Sequence, residues 1–142
     1  MIAAIRIRGT VDVTQKVEAT LDRLRLKRKY SCVLLEESRE KIGMLRKAEN
    51  YVAYGKIDKT DLKLLIEKRA RALGNKPIDK SKLNDKLVED IMNGKSLQSL
   101  GIKPFFRLHP PRGGFKRSIK LLYPQGIMGK NPDTSKILIK ML

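Results

Sequence analysis

Apolar and polar positions alternate from the start of the chain. Ile5 and Ile7 stand against Arg6 and Arg8 ahead of Gly9, a period of two that predicts a half-buried strand over residues 2–8 with one basic face. Val17, Leu21 and Leu24 then recur at helical spacing, Glu18 and Asp22 fall off that face, and Asp12 or Thr14 can cap the helix. Residues 30–35, Tyr-Ser-Cys-Val-Leu-Leu, form an apolar run of strand length after the cationic turn of Lys27, Arg28 and Lys29. Ser38 is placed to cap a short helix presenting Ile42, Leu45 and Ala48, and residues 51–54, Tyr-Val-Ala-Tyr, predict a third strand ended by Gly55. The first 55 residues therefore spell β-α-β-α-β, in which strands and helices bury their apolar sides on one another.

From Lys56 the period becomes helical. Thr60 can cap a helix carrying Leu62, Leu65, Ile66, Ala70 and Leu73, stopped by Gly74; Asn75, Lys76 and Pro77 then turn the chain. Ser81 can cap a second helix with Leu83, Leu87, Val88, Ile91 and Met92 on one face, ended by Gly94, and residues 96–101 add a turn or two. Phe105, Phe106 and Leu108 predict a short strand, which Pro110 and Pro111 stop because proline lacks the N–H and fixes φ. Residues 119–123 read as an exposed strand or arm, residues 125–130 as a glycine-punctuated cationic loop, and Ile137, Leu138 and Met141 as one face of a short final helix. The expected architecture is α+β: a β-α-β-α-β sheet core over 1–55, a helical insert over 56–101 and a basic extension over 102–142 with that short helix.

Charge alters the picture. Among 142 residues, 32 Lys+Arg stand against 15 Asp+Glu, a net charge of +17, and such self-repulsion points to a polyanionic partner. Residues 101–142 hold nine of these cations and one acid, Asp133. No run of 18 apolar residues occurs, and no cationic leader with an apolar stretch follows Met1, so a cytosolic protein and no membrane partner are expected. Cys32 is alone in an apolar run, which suits a buried thiol and excludes a disulfide framework.

Catalytic chemistry has little to build on. His109 is the only histidine, wedged between Leu108 and Pro110; with one cysteine it cannot make a zinc site, which needs three or four ligands. Glu36 and Glu37 are adjacent, hence on opposite faces of an extended chain, and no phosphate-binding fingerprint occurs. No enzyme activity, metal or cofactor is expected.

What the pattern favours is nucleic acid. Gly113 and Gly114 allow positive φ and close backbone approach, and Arg107, His109, Arg112, Phe115, Lys116, Arg117 and Lys120 surround them, with Lys130 in the second loop. Arg6, Arg8, Lys27, Arg28, Lys29, Arg46 and Lys47 form a second rank of candidate contacts. With no Trp, and with Tyr51 and Tyr54 on opposite faces, a folded RNA gripped through phosphates and shape fits better than a stacked single strand. A DNA-binding regulator with a helix-turn-helix over residues 81–101 is the alternative, although residues 56–100 carry 11 cations against seven acids. An RNA-processing enzyme using His109 as general base is a third and weaker reading.

Leu108-His109-Pro110-Pro111-Arg112-Gly113-Gly114, with Phe105-Phe106-Arg107 before it and Phe115-Lys116 after it, resembles the Pro-Arg-Gly-Gly segment of large-subunit ribosomal protein number thirty, in its longer archaeal and eukaryotic branch. Ile5-Arg6-Ile7-Arg8-Gly9, Gly43-Met44-Leu45 and Tyr51-Val52-Ala53-Tyr54-Gly55 look like the β-α-β-α-β core of the short bacterial members, a ferredoxin-like arrangement. The resemblance spans nearly the whole chain, and archaeal type is favoured because no long basic N-terminal extension is present. It implies a structural, non-catalytic constituent of the large ribosomal subunit in the cytoplasm. The implied partners are large-subunit ribosomal RNA, nearby 5S RNA and neighbouring ribosomal proteins, with one copy of the chain per ribosome.

Overall fold

A computed structural model of the chain describes residues 1–74, 76 and 85–142. Six strands form one mixed sheet in the order β4-β2-β1-β3-β6-β5, where β1 is Ile2–Arg6, β2 Ser31–Leu35, β3 Val52–Lys56, β4 Phe106–Arg107, β5 Ser118–Leu122 and β6 Gly126–Lys130. The central strand β1 pairs antiparallel with both β2 and β3, Ile5 standing opposite Cys32 and Ala53. Helices α1 (Gln15–Arg23) and α2 (Arg39–Lys47) connect these strands. Helices α3 (Lys59–Arg69), α4 (Asp85–Met92) and α5 (Thr134–Met141) follow.

The strand period of two explains the layers. Ile2 and Ala4 join Val33, Val52, Leu21 and Leu45 in a core between the sheet and α1–α2. Ala3, Ile5 and Ile7 point the other way and join Leu62, Leu65, Val88, Ile91, Leu138 and Met141 from α3, α4 and α5. Helices thus cover both faces, and the α+β architecture with its helical insert is present as expected. The sheet also draws on the 102–142 segment: β4 extends it beyond β2, β6 pairs parallel with β3, and α5 packs on β3.

Several local expectations are corrected. The first strand is buried on both sides and has no basic face; Arg6 is 1% exposed. Gly55 lies within β3, which continues to Lys56; a Cβ there would run into the Asn131 carbonyl oxygen and come within 2.8 Å of Thr134 Oγ1. Thr60 is the second residue of α3, whose N-cap is Asp58, and that helix ends at Arg69, ahead of Gly74. Beyond it Ala72 bridges to Ile102 and ties the insert to the segment entering β4. Residues 126–130 form strand β6, with Gly126, Ile127, Met128 and Gly129 buried, where a loop was expected. Ser38 does cap α2, accepting from the Lys41 amide at 3.3 Å. Asn75, Pro77, Ser81 and Leu83, assigned above to a turn and the second insert helix, lie outside the described residues.

Candidate nucleic-acid interface

Sheet register decides which cations meet. β1 ends where β2 and β3 begin, since Ile5 pairs with Cys32 and Arg6 with Val52. The same end receives the exit of β4, where Arg107 pairs with Ser31 and the Leu108 amide donates to Tyr30 O at 2.9 Å. It also holds the start of β5, as Ser118 stands level with Gly126 at the head of β6. One end of the sheet therefore gathers the turn 27–29, Arg8 and the loop 107–117.

That loop is fixed at its base and bare at its tip. The amide of His109 donates to Met141 O and that of Arg112 to Lys140 O, both at 3.0 Å, so the loop is pinned to the last turn of α5. Pro111 is buried and Phe115 packs half-buried against the core, while His109, Arg112, Gly113, Gly114, Lys116 and Arg117 are exposed. Gly113 and Gly114 have φ of 76° and 72°, and a Cβ on either would meet nothing within 4 Å. The glycines serve a left-handed backbone, which a side chain would strain, and the Gly114 amide closes the turn by donating to Pro111 O at 3.0 Å. Arg107 lies over the Phe105 ring at 5.3 Å, and Arg117 over Tyr123 at the same distance. Stacking of this kind keeps a guanidinium oriented yet exposed.

The buried Arg6 works behind this face. Its guanidinium donates to the carbonyls of Leu26 (2.7 Å), Lys27 (2.9 Å), Arg8 (3.0 Å) and Gly9 (3.0 Å), while its own carbonyl accepts from the Tyr30 amide at 2.7 Å. Arg6 braces the turn that presents Lys27, Arg28 and Lys29, all exposed, and is itself withdrawn from solvent. Its expected place among surface contacts is therefore corrected. Burial lowers its pKa, opposed by the charges of Glu18, Asp22 and Tyr51. Arg8, half-buried, lies 5.2 Å over the Tyr51 ring; Arg46 and Lys47 are exposed on the last turn of α2.

Two predicted contacts stand apart. Lys120 is exposed on the edge strand β5. Lys130, exposed at the far end of β6, is level with Tyr54, away from the loop. Conversely, α3 and α5 bring cations that local sequence did not single out. Arg69 donates to Leu142 O beside the loop's base, and burial, then the charges of Arg112 and Arg71, hold its pKa below the ordinary value. Lys140 shares the last turn of α5. These residues lie at least 23 positions from the loop or in a helix of mixed polarity, so no window of sequence joins them. The one acid of this segment, Asp133, is engaged by Lys136 at 2.8 Å, whose hydrogen bond and charge hold its carboxyl below the usual range.

Among the described residues no group of three or more His, Cys, Asp and Glu is placed to hold a metal, and no helix is long and apolar enough to cross a membrane. Cys32 is fully buried on β2, and burial pushes its thiol up to about 12. Among the described residues of the insert, α4 buries Val88 and Ile91, while its Glu89 pairs with Lys59 and its Asp90 with Lys95.

Residues 2–52 match the family model for ribosomal protein L30p/L7e. The chain is 40% identical to the large ribosomal subunit protein uL30 of Aeropyrum pernix, covering all of this chain and 99% of the relative. It is 41% identical to that of Archaeoglobus fulgidus, covering 99% of each. Against the Nitrosopumilus maritimus protein identity is 36%, over 99% of this chain and 97% of the relative. Near-complete mutual coverage at such identity includes the insert and the cationic loop as well as the first three strands, and the chain belongs to the uL30 family of structural, non-enzymatic ribosomal proteins.

Proposed function

We propose that this protein is a structural constituent of the large ribosomal subunit and binds its ribosomal RNA through the cationic end of the sheet, in the neighbourhood of 5S RNA. The observation that carries the reading is the loop 107–117: exposed arginine and lysine around a two-glycine backbone, tied to the fold through the amides of Leu108, His109 and Arg112. Phosphate contacts from fixed cations set register and orientation on a folded RNA without reading bases. The folded core then acts as a rigid support, with Arg6 and α5 holding the turn and the loop in one orientation. Proximity to 5S RNA rests on the family resemblance, and neighbouring ribosomal proteins complete the environment.

The test is sedimentation of the tagged chain from cell lysate before and after a high-salt wash. Purely diffuse phosphate attraction through roughly 6–10 contacts loses about 10³–10⁵ in affinity between 50 and 200 mM salt. Retention on the large subunit through the wash supports the reading. Release to the top of the gradient, or migration with chromosomal DNA, overturns it.

A further inference from the structure

Beside the cationic loop lies an open groove of about 500 Å³, bounded by Pro111 and residues 114–117 on one side and α5 on the other. This volume lies in the range of roughly 300–1,000 Å³ typical of small-ligand sites. Its walls are apolar: Phe115 and Ile137 are half-buried, Ile127 forms part of the floor, and Ile139 is 48% exposed at the lip. The rim is cationic, with Lys116 and Arg117 on the loop side and Lys140 on the helix side.

The groove's polar groups are already engaged. Asn131 donates from Nδ2 to Ile127 O at 3.2 Å and accepts the Asp133 amide on Oδ1 at 2.8 Å. Asp133 is held by Lys136. What remains is an apolar slot with positive charge at its mouth. An apolar peptide would leave the rim charges without partners, and a duplex cannot enter. A nucleotide displaced from its helix satisfies both parts at once, presenting a flat apolar face to the slot and its own phosphate to the rim.

We propose that this groove seats one unstacked nucleotide of RNA, its base against Phe115 and Ile139 and its flanking phosphates on Lys116, Arg117 and Lys140. The proposal rests on the RNA-binding reading above and deepens it from phosphate grip to a discrete base site. Since Asn131 and Asp133 are committed to partners within the protein, the site accepts purines and pyrimidines alike. Selection falls on an extruded base and not on its identity.

The test uses the full-length chain and two short RNA hairpins, one with a fluorescent adenine analogue in a single-nucleotide bulge and one with the analogue paired in the stem. The wild-type chain is expected to prefer the bulged hairpin by about tenfold, within the range of stacking one base on an aromatic ring. Analogue fluorescence changes on binding only in the bulge. Phe115→Ala removes the preference, and Ile139→Trp, made at an exposed lip where it does not load the core, fills the slot and does the same. Ile139→Trp, which lies outside the loop, keeps its affinity for the paired hairpin within about twofold. Equal wild-type affinity for the two hairpins, or a preference that survives Ile139→Trp, overturns the base site while leaving RNA binding standing, and points to a protein segment as occupant. Failure to bind either hairpin at low salt overturns both readings.

Discussion

Replacing Arg6 with Met separates a structural arginine from an RNA contact. The methionine retains most of the apolar stem and deletes the guanidinium, so the carbonyls of Leu26, Lys27, Arg8 and Gly9 lose their donor together. Only the bond to Leu26 is fully buried; its unpaired oxygen costs about 1–3 kcal/mol. The other three are partly buried and can take up water, at roughly 0.5 kcal/mol each. Relief of the guanidinium's desolvation, which already lowers its pKa, offsets part of the sum. The net expectation is a loss of about 2–4 kcal/mol, or roughly 8–16 °C in Tm for a domain of this length. Urea unfolding followed by circular dichroism reads it as a lower midpoint at unchanged m. Salt dependence of RNA binding should keep its slope, since no phosphate contact is removed. A variant with wild-type stability and a slope shallower by about 0.9, the signature of one lost phosphate contact, would refute the bracing role.

Gly55→Ala pushes a methyl into the Asn131 carbonyl and Thr134 Oγ1, where β3 meets the start of α5; a drop of about 1–3 kcal/mol in urea stability is expected, with the RNA salt slope unchanged. Arg112→Gln removes an exposed cation, so affinity for ribosomal RNA falls and the slope loses about 0.9 while the urea midpoint holds; a midpoint that moves and a slope that does not would take Arg112 out of the interface. Gly113→Val imposes a β-branched side chain at φ 76° and is expected to weaken RNA binding by distorting the loop, with filter binding as the readout. Cys32 is raised from 9.0 to about 12 by burial, so the folded state favours the neutral thiol; its contribution is complete below pH 9 and is lost as pH rises towards 12. Wild-type midpoints should therefore fall faster than those of Cys32→Ala over that window, and parallel curves would count against a buried thiol.

Elements that bury a simple apolar pattern were legible in the sequence. The run before Glu36 became β2, Ser38 became a cap, and the spacing of Ile137, Leu138 and Met141 became α5. Residues 126–130 were not, because two glycines and a lysine resemble a loop. In the fold, Gly126 admits the Leu121 carbonyl at a place where no Cβ fits, so its role is close packing inside a sheet. Arg6 was misjudged for a related reason. Alternation in a strand assigns faces, but the two closest carbonyls that receive its guanidinium lie 20 and 21 residues away and are invisible in local sequence. In the candidate site, composition and the Pro-Pro-Arg-Gly-Gly spacing point to the loop. The convergence of Arg69, Arg71 and Lys140 on it needs the packing of α3 and α5, which no local window contains.

The central claim is that the cationic end of the sheet, with loop 107–117 at its centre, is the RNA face. Ultraviolet crosslinking of intact large subunits carrying this chain, with the crosslinked peptides located by mass spectrometry, tests it directly. Crosslinks are expected to concentrate between Arg107 and Arg117 and around Lys27, Arg28 and Lys29, with few on α4. Crosslinks concentrated on α4 and residues 96–101, with the loop free of them, would contradict the account.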